Sequence, residues 1–126
     1  MATLHFLYTH ERSIVLTACP TWHQNRQIMW RCITEMRGTN EIHPTPRHRL
    51  PGKRDSMELQ IGPQWYAKGI GPDGADLRGI TGGAVLLVVD EAQPMPQEFF
   101  DAADGILTQP GASALCLYGP EATALA

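Results

Sequence analysis

The sequence predicts an α/β fold in which helices cover both faces of a mainly parallel sheet, giving a three-layer core. Short apolar runs typical of strands alternate with segments whose apolar residues recur at helical spacing. This alternation favours parallel strands joined by right-handed crossovers. The run AVLLVV at 84–89 is apolar at every position, as expected of a central strand buried on both faces. The 126 residues suit a single domain, 1–126.

The first elements are a helix end, a strand and a second helix. Residues 2–9 indicate the last turns of a helix, and the apolar run SIVLTAC at 13–19 indicates a buried strand. Thr21 followed by Gln24 matches a capping box, so a helix is predicted over 22–36. Its expected apolar stripe is Trp22, Met29, Cys32, Ile33 and Met36.

The middle of the chain is rich in turn-forming residues. A polar, proline-rich loop is predicted over 38–56, followed by two strands at 57–61 and 64–70 that Gly62-Pro63 separates. Five glycines mark 71–83 as another loop.

The last elements follow the 84–89 strand. A helix is predicted over 96–107, because Pro96 suits a first helical turn and an amphipathic pattern follows. Its expected buried face is Phe99, Ala103, Ile106 and Leu107. A final strand is predicted at 113–118.

Composition excludes several classes of protein. The formal net charge of −3 argues against a chain that binds nucleic acid over its whole surface. Three widely spaced cysteines without a CxxC pair argue against a disulfide framework and fit the cytosol. Every apolar run is too short to cross a membrane. The expected location is therefore the cytoplasm.

The most informative segment is VLLVVDEAQ at 85–93, in which a buried strand ends at Asp90-Glu91. Ligands of α/β proteins bind at the carboxyl edge of the sheet, and successive strand residues point to opposite sides. The two acids therefore suit different roles. This strand end resembles that of P-loop NTPases, and the resemblance implies that Asp90 helps to hold Mg²⁺ and that Glu91 activates the attacking water. The alternative is a helix-capping acid or a solvated turn.

Two stretches resemble the ATPase part of phage terminase large subunits, the motors that package viral DNA. They are LYTHERSIVLTACPTWHQ at 7–24 and LRGITGGAVLLVVDEAQPMPQEFFDAADGILTQPGASALCLYGP at 77–120. The resemblance implies an incomplete P-loop NTPase-like fold with a Walker B strand ending at Asp90, and ATP and Mg²⁺ as cofactors. It also implies double-stranded DNA, a portal, a small terminase subunit and further copies of the motor as partners.

The sequence departs from that family in two places. The phosphate-binding pattern GxxxxGK[ST] does not occur in it, and a polar GNPT-like turn is replaced by GPEAT at 119–123. The family's nuclease domain is also missing. These 126 residues are therefore expected to be a fragment that does not hydrolyse ATP alone and that leaves one strand edge unpaired. The alternatives are a fragment of another DExx-box ATPase or helicase, or a catalytically inactive binding protein derived from one.

Other residues are weaker candidates for binding. Thr21 and Gln24 can hold a DNA phosphate at a helix N-terminus, or simply cap the helix. Arg78 can stabilise charge near a transferred phosphate, or lie on the surface. A basic loop can contact DNA phosphates, or be solvated. Its candidate residues are Arg47, Arg49, Lys53 and Arg54.

Overall fold

The computed structural model describes residues 2–33, 53–55 and 57–118 and contains a six-stranded mixed sheet. The strands are β1 (Ser13–Ala18), β2 (Lys53–Asp55), β3 (Glu58–Gly62), β4 (Trp65–Gly69), β5 (Ala84–Val89) and β6 (Ala112–Cys116). The helices are α1 (Ala2–Thr9), α2 (Trp22–Gln24) with a π-helical continuation (Asn25–Trp30), a 3-10 turn (Ala75–Leu77) and α3 (Gln97–Leu107). Helical structure continues over residues 31–33 after the π segment.

The strand order is β2-β3-β4-β1-β5-β6. Strands β4, β1, β5 and β6 are parallel, which confirms the predicted parallel neighbours and the crossover through α3. Strands β3 and β4 form an antiparallel hairpin, and β2 pairs antiparallel with β3. The prediction of a loop throughout 38–56 is wrong at Lys53–Asp55, because three charged residues carry no apolar alternation that would reveal an edge strand. Residues 38–52 and 56 of that loop lie outside the described residues.

Helices pack on both faces of the sheet, as predicted. Leu86 and Val88 of β5 join a cluster with α1 and the π segment, which includes Leu4, Leu7 and Trp30. The alternate residues of β5 face a second cluster beneath α3; this cluster contains Val85, Leu87, Val89, Phe99, Ala103 and Ile106. The central strand is therefore buried on both sides, which gives three layers.

The predicted apolar stripe of the second helix is wrong at two of its positions. Trp22 and Cys32 are exposed, whereas Asn25 and Trp30 are fully buried. A π-helix closes i→i+5 rather than i→i+4, so residues five apart face the same side, as Asn25 and Trp30 do. The ordinary helical period used for the prediction therefore selects the wrong face. Met36 lies outside the described residues.

A hydrogen-bonded network attaches the π segment to the sheet. The Asn25 amide nitrogen donates to the carbonyl oxygens of Thr17 (2.8 Å) and Ile70 (3.2 Å), and the Thr17 hydroxyl donates to Asn25 Oδ1 at 3.0 Å. Trp30 Nε1 donates to Thr17 Oγ1 at 2.8 Å. Gly69 permits this close approach, because a Cβ there would lie 2.9 Å from Trp30 Nε1. Every described polar side-chain atom that is buried has a partner.

Helix α3 largely follows its prediction. Pro96 is the N-cap rather than a residue of the first turn, and Phe99, Ala103 and Ile106 are buried as expected. Leu107 is 36% exposed, so its expected burial is wrong, although its neighbour Ile106 in the same turn is buried.

Candidate site at the carboxyl edge of the sheet

Two candidate segments meet at one edge because their strands are parallel neighbours. Ala18 of β1 stands opposite Val89 of β5, so Thr21 and Asp90 both follow the carboxyl ends of adjacent strands. The Asp90 backbone N–H donates to the Ala18 carbonyl at 3.0 Å. This confirms the predicted position of Asp90 at the carboxyl edge.

Asp90 and Glu91 lie in different surroundings. Asp90 is half-buried, whereas Glu91 is exposed. Glu91 has φ 53°, a left-handed conformation that costs a residue with a side chain about 1 kcal/mol or more. Backbone hydrogen bonds fix both sides of this residue, since Leu117 N donates to Val89 O at 2.8 Å and Ala92 N to Leu117 O at 2.9 Å. The strained turn therefore leaves the Asp90 side chain half-buried and the Glu91 side chain in solvent.

A cavity of about 270 Å³ lies beside Asp90. Its lining comes from α1, the π segment and the residues that follow it, and β5 and β6 with the residues just beyond them: Thr3, Ile28, Met29, Cys32, Ile33, Val88, Asp90, Leu115 and Leu117. Thr3 stands in the first turn of α1, so the N-terminal end of this helix opens at the same cavity as the carboxylate. The positive end of a helix dipole favours anions nearby. Apolar and sulfur-containing side chains form most of the remaining lining.

The charges of Asp90 and Glu91 affect the pKa of Cys19. The sequence analysis did not single out this cysteine. Burial, and then the negative charges of Asp90 and Glu91, raise the pKa of Cys19 to about 12. Its Sγ also lies 3.1 Å from Met29 Sδ. The thiol is therefore protonated at neutral pH and is a poor nucleophile. The sequence shows only that Cys19 directly follows β1, and this position by itself does not predict a shifted pKa.

Thr21 caps the second helix. The Gln24 backbone N–H donates to Thr21 Oγ1 at 3.1 Å, which is the predicted capping contact. The Thr21 side chain remains exposed, so its hydroxyl proton can still be donated to a phosphate. The phosphate-binding role of Thr21 and Gln24 stays a prediction.

The structure does not bring Arg78 to this site. Arg78 is exposed and lies in a loop that runs along α3. Before Arg78, Gly74 lies against Phe99 near the start of α3; after it, the Ile80 carbonyl accepts from Gln109 Nε2 beyond the end of α3. The loop at Arg78 therefore runs away from the carboxyl edge, towards the amino edge of the sheet.

The basic loop is only partly described. Lys53 and Arg54 lie in β2, at the far end of the strand order from β6. Arg47 and Arg49 lie outside the described residues. Contact of any of the four with DNA stays a prediction.

The side chains described at this edge suit Mg²⁺ better than they suit ATP. Mg²⁺ is commonly held by one or two carboxylates together with substrate phosphates and water, which Asp90 can satisfy. Across residues 2–33, 53–55 and 57–118, no three His, Cys, Asp or Glu side chains cluster as an all-protein metal cage. Among the described residues, no Lys or Arg lines the cavity. The described residues therefore fit a metal ligand but supply no cradle for a triphosphate.

Comparison with known proteins adds no constraint to this geometry. The chain matches no protein-family model, no curated protein and no solved structure. Within the part of the chain that the structure describes, no helix has the length and apolar character needed to cross a membrane. The functional argument therefore depends on the acid pair and the elements around it.

Proposed function

We propose that this chain is the Walker B part of a viral DNA-packaging ATPase of the terminase large subunit kind. The intact protein would hydrolyse ATP and move double-stranded DNA into a capsid, with the portal, the small subunit and further motor copies as partners. The observation that carries this proposal is the acid pair at the end of the central parallel strand β5, beside the first turn of α1.

The two acids would divide the work. Bound Mg²⁺ would neutralise charge on the transferred phosphate. Asp90 would hold this ion, because its backbone is fixed by the Ala18 carbonyl and its side chain borders the cavity. Glu91 would orient and deprotonate the attacking water, because its side chain is exposed beyond the edge.

The phosphate cradle would have to come from residues other than those described. Phosphoryl transfer depends on positioning and on positive charge around the γ-phosphate, and no cationic side chain of residues 2–33, 53–55 or 57–118 lines the cavity beside Asp90. Two carboxylates without that charge repel a polyanion. We therefore expect no Mg²⁺-dependent phosphate release from the 126-residue chain above a no-protein control. Turnover that disappears in Asp90→Ala would contradict this expectation.

The decisive test uses a longer chain. The upstream nucleotide sequence is read in frame for a GK[ST] loop, and the chain that includes it is purified. We expect Asp90→Ala to weaken binding of Mg-nucleotide. Glu91→Gln should keep binding but slow phosphate release by about 100-fold or more, because only the base is lost. Asp104→Asn, an exposed carboxylate of α3, is the matched control and should change neither quantity. Equal release rates for wild type and Glu91→Gln would refute the proposed role of Glu91.

A catalytically inactive binding protein is the second candidate. The apolar lining of the cavity favours it, since aliphatic and sulfur-containing side chains fit an apolar ligand better than a triphosphate. Under this alternative, an apolar fluorescent dye binds at the cavity and Ile33→Asp prevents binding, whereas Mg-nucleotide does not compete with the dye.

A further inference from the structure

A second cavity, of about 450 Å³, lies at the amino edge of the sheet, away from the acid pair. Two short turns enclose it, the one between α1 and β1 and the one between β3 and β4. Arg12 directly precedes β1, and Gln64 directly precedes β4. Because Ile14 of β1 stands opposite Tyr66 of β4, the same register sets Arg12 beside Gln64. The lining consists of Glu11, Arg12, Ile61, Gly62, Pro63, Gln64 and Trp65.

These two neighbouring residues share a strained backbone. Arg12 has φ 58° and Gln64 has φ 55°, a left-handed conformation that only glycine adopts without a steric cost. Among the described residues, the other non-glycine residue with positive φ is Glu91, at the candidate site. Strain of this kind clusters at ligand-binding sites. The chain thus keeps long polar side chains at two adjacent positions that favour glycine, and both line one cavity, which indicates a use for that cavity.

The lining joins an available cation to an apolar wall. Arg12 is exposed, and no described residue forms an ion pair with its guanidinium. A guanidinium can donate two parallel N–H bonds to one carboxylate. Trp65 Nε1 donates to the Leu7 carbonyl oxygen at 2.8 Å, which restrains the half-buried indole between the two turns. Ile61 and Pro63 extend the apolar part of the lining.

We propose that this cavity binds a small organic acid that has one carboxylate, a hydrogen-bond donor close to it and an apolar body. The carboxylate pairs with the Arg12 guanidinium, and the apolar body packs against the Trp65 indole. The Glu11 carboxylate accepts a hydrogen bond from the donor.

Charge and size select this class of ligand. Glu11 and Arg12 carry the only charges of the described lining, one of each sign, so a second negative charge on a ligand would be repelled by Glu11. A monocarboxylate therefore fits better than a phosphate ester. The volume lies in the range of small-molecule sites, about 300–1,000 Å³. The cavity and Asp90 lie at opposite edges of the sheet, so the proposal is independent of the ATPase function.

Matched probes test the chemistry of the ligand. N-acetylphenylalanine supplies a carboxylate, an amide N–H donor and an apolar ring. We expect it to bind the 126-residue chain at millimolar or lower concentration in isothermal titration calorimetry. N-acetylphenylalaninamide, which lacks only the charge, should bind about 10-fold more weakly or less. The phosphonic acid analogue, which can carry a second negative charge, should also bind more weakly than the carboxylate.

The variant Arg12→Gly separates binding from folding. It removes the guanidinium and also relieves the positive φ, so it should melt at a higher temperature than wild type and still bind N-acetylphenylalanine about 10-fold more weakly. Arg26→Gln, at an exposed arginine of the π segment, is the matched control and should bind like wild type.

Four results would overturn the proposal. They are the absence of binding at millimolar N-acetylphenylalanine, equal affinity for its amide, unchanged binding by Arg12→Gly, and an equal loss of binding in Arg26→Gln. Tighter binding of the phosphonate would overturn the assignment of a single negative charge to the ligand.

Discussion

Two polar regions near the ends of β1 and β5 differ in how their side chains are satisfied. In the network of Thr17, Asn25 and Trp30, each polar group has a partner inside the protein. Among the described residues, backbone hydrogen bonds hold the segment of Asp90 and Glu91, while the Asp90 carboxylate borders a cavity and the Glu91 carboxylate faces solvent. The network therefore fixes the scaffold, and the acids remain available to a ligand.

Backbone conformation separates the two regions in the same way. Asn25 occupies an ordinary right-handed helical conformation, whereas Glu91 adopts a left-handed one. Strain that persists beside two carboxylates is typical of functional sites. If this comparison is correct, substitutions in the network should cost stability, and substitution of Glu91 should gain stability while it costs function.

The largest stability effect is expected in the network. Asn25→Ala removes the acceptor of the Thr17 hydroxyl proton and the amide donor to the Ile70 carbonyl, and it should lower the free energy of unfolding by about 2 kcal/mol. Trp30→Phe removes one donor but keeps most of the ring and should cost about 1 kcal/mol. Urea denaturation measures both. Gln27→Ala, an exposed position of the same π segment, should change stability by less than about 0.5 kcal/mol. Equal effects at Asn25 and Gln27 would show that the network is not structural.

The network also marks the limit of prediction from sequence. The run at 84–89 predicted the central strand correctly, because burial on both faces leaves no polar position to obscure the signal. The capping contact of Thr21 was predictable because it is local. The π segment was not, since one extra residue per turn changes the buried face without changing the composition, and Asn25 was thus absent from the predicted core.

The candidate site was predictable in position but not in its surroundings. Asp90 was expected at the carboxyl edge because the end of a strand is a local feature, and the parallel pairing of β1 with β5 places it there. The left-handed turn at Glu91 and the burial of Cys19 beside it depend on contacts between distant segments. No periodicity reports such contacts, so the sequence could not reveal them.

A second prediction sharpens the comparison at the strained turn. Glu91→Gly should raise the free energy of unfolding by about 1 kcal/mol, because glycine adopts positive φ without a steric cost. Gln64→Gly is the matched control, since Gln64 is exposed with φ 55° in the β3–β4 turn, and it should stabilise by a similar amount. In the longer chain, only Glu91→Gly should slow phosphate release. If neither variant is stabilised, the strain argument fails; if both slow release alike, Glu91 has no special role.

The smallest expected effect uses Cys19 as a probe of the two acids. Its pKa is raised from the ordinary value of 9.0 to about 12, first by burial and then by Asp90 and Glu91. Because the folded protein holds this proton more tightly, the contribution of Cys19 to stability is complete below pH 9.0 and is lost as pH rises towards 12. With Cys32 and Cys116 replaced by Ser, the ¹³Cβ chemical shift of the remaining cysteine follows this single titration. Asp90→Asn should lower the Cys19 pKa more than Glu91→Gln does, since Asp90 exerts the larger charge effect on the thiol. Both variants should leave the pKa above its ordinary value, because burial, the largest cause, is unchanged.

A larger shift from Glu91→Gln would mean that Glu91, and not Asp90, directs its carboxylate towards the interior, and the proposed roles of the two acids would have to be exchanged.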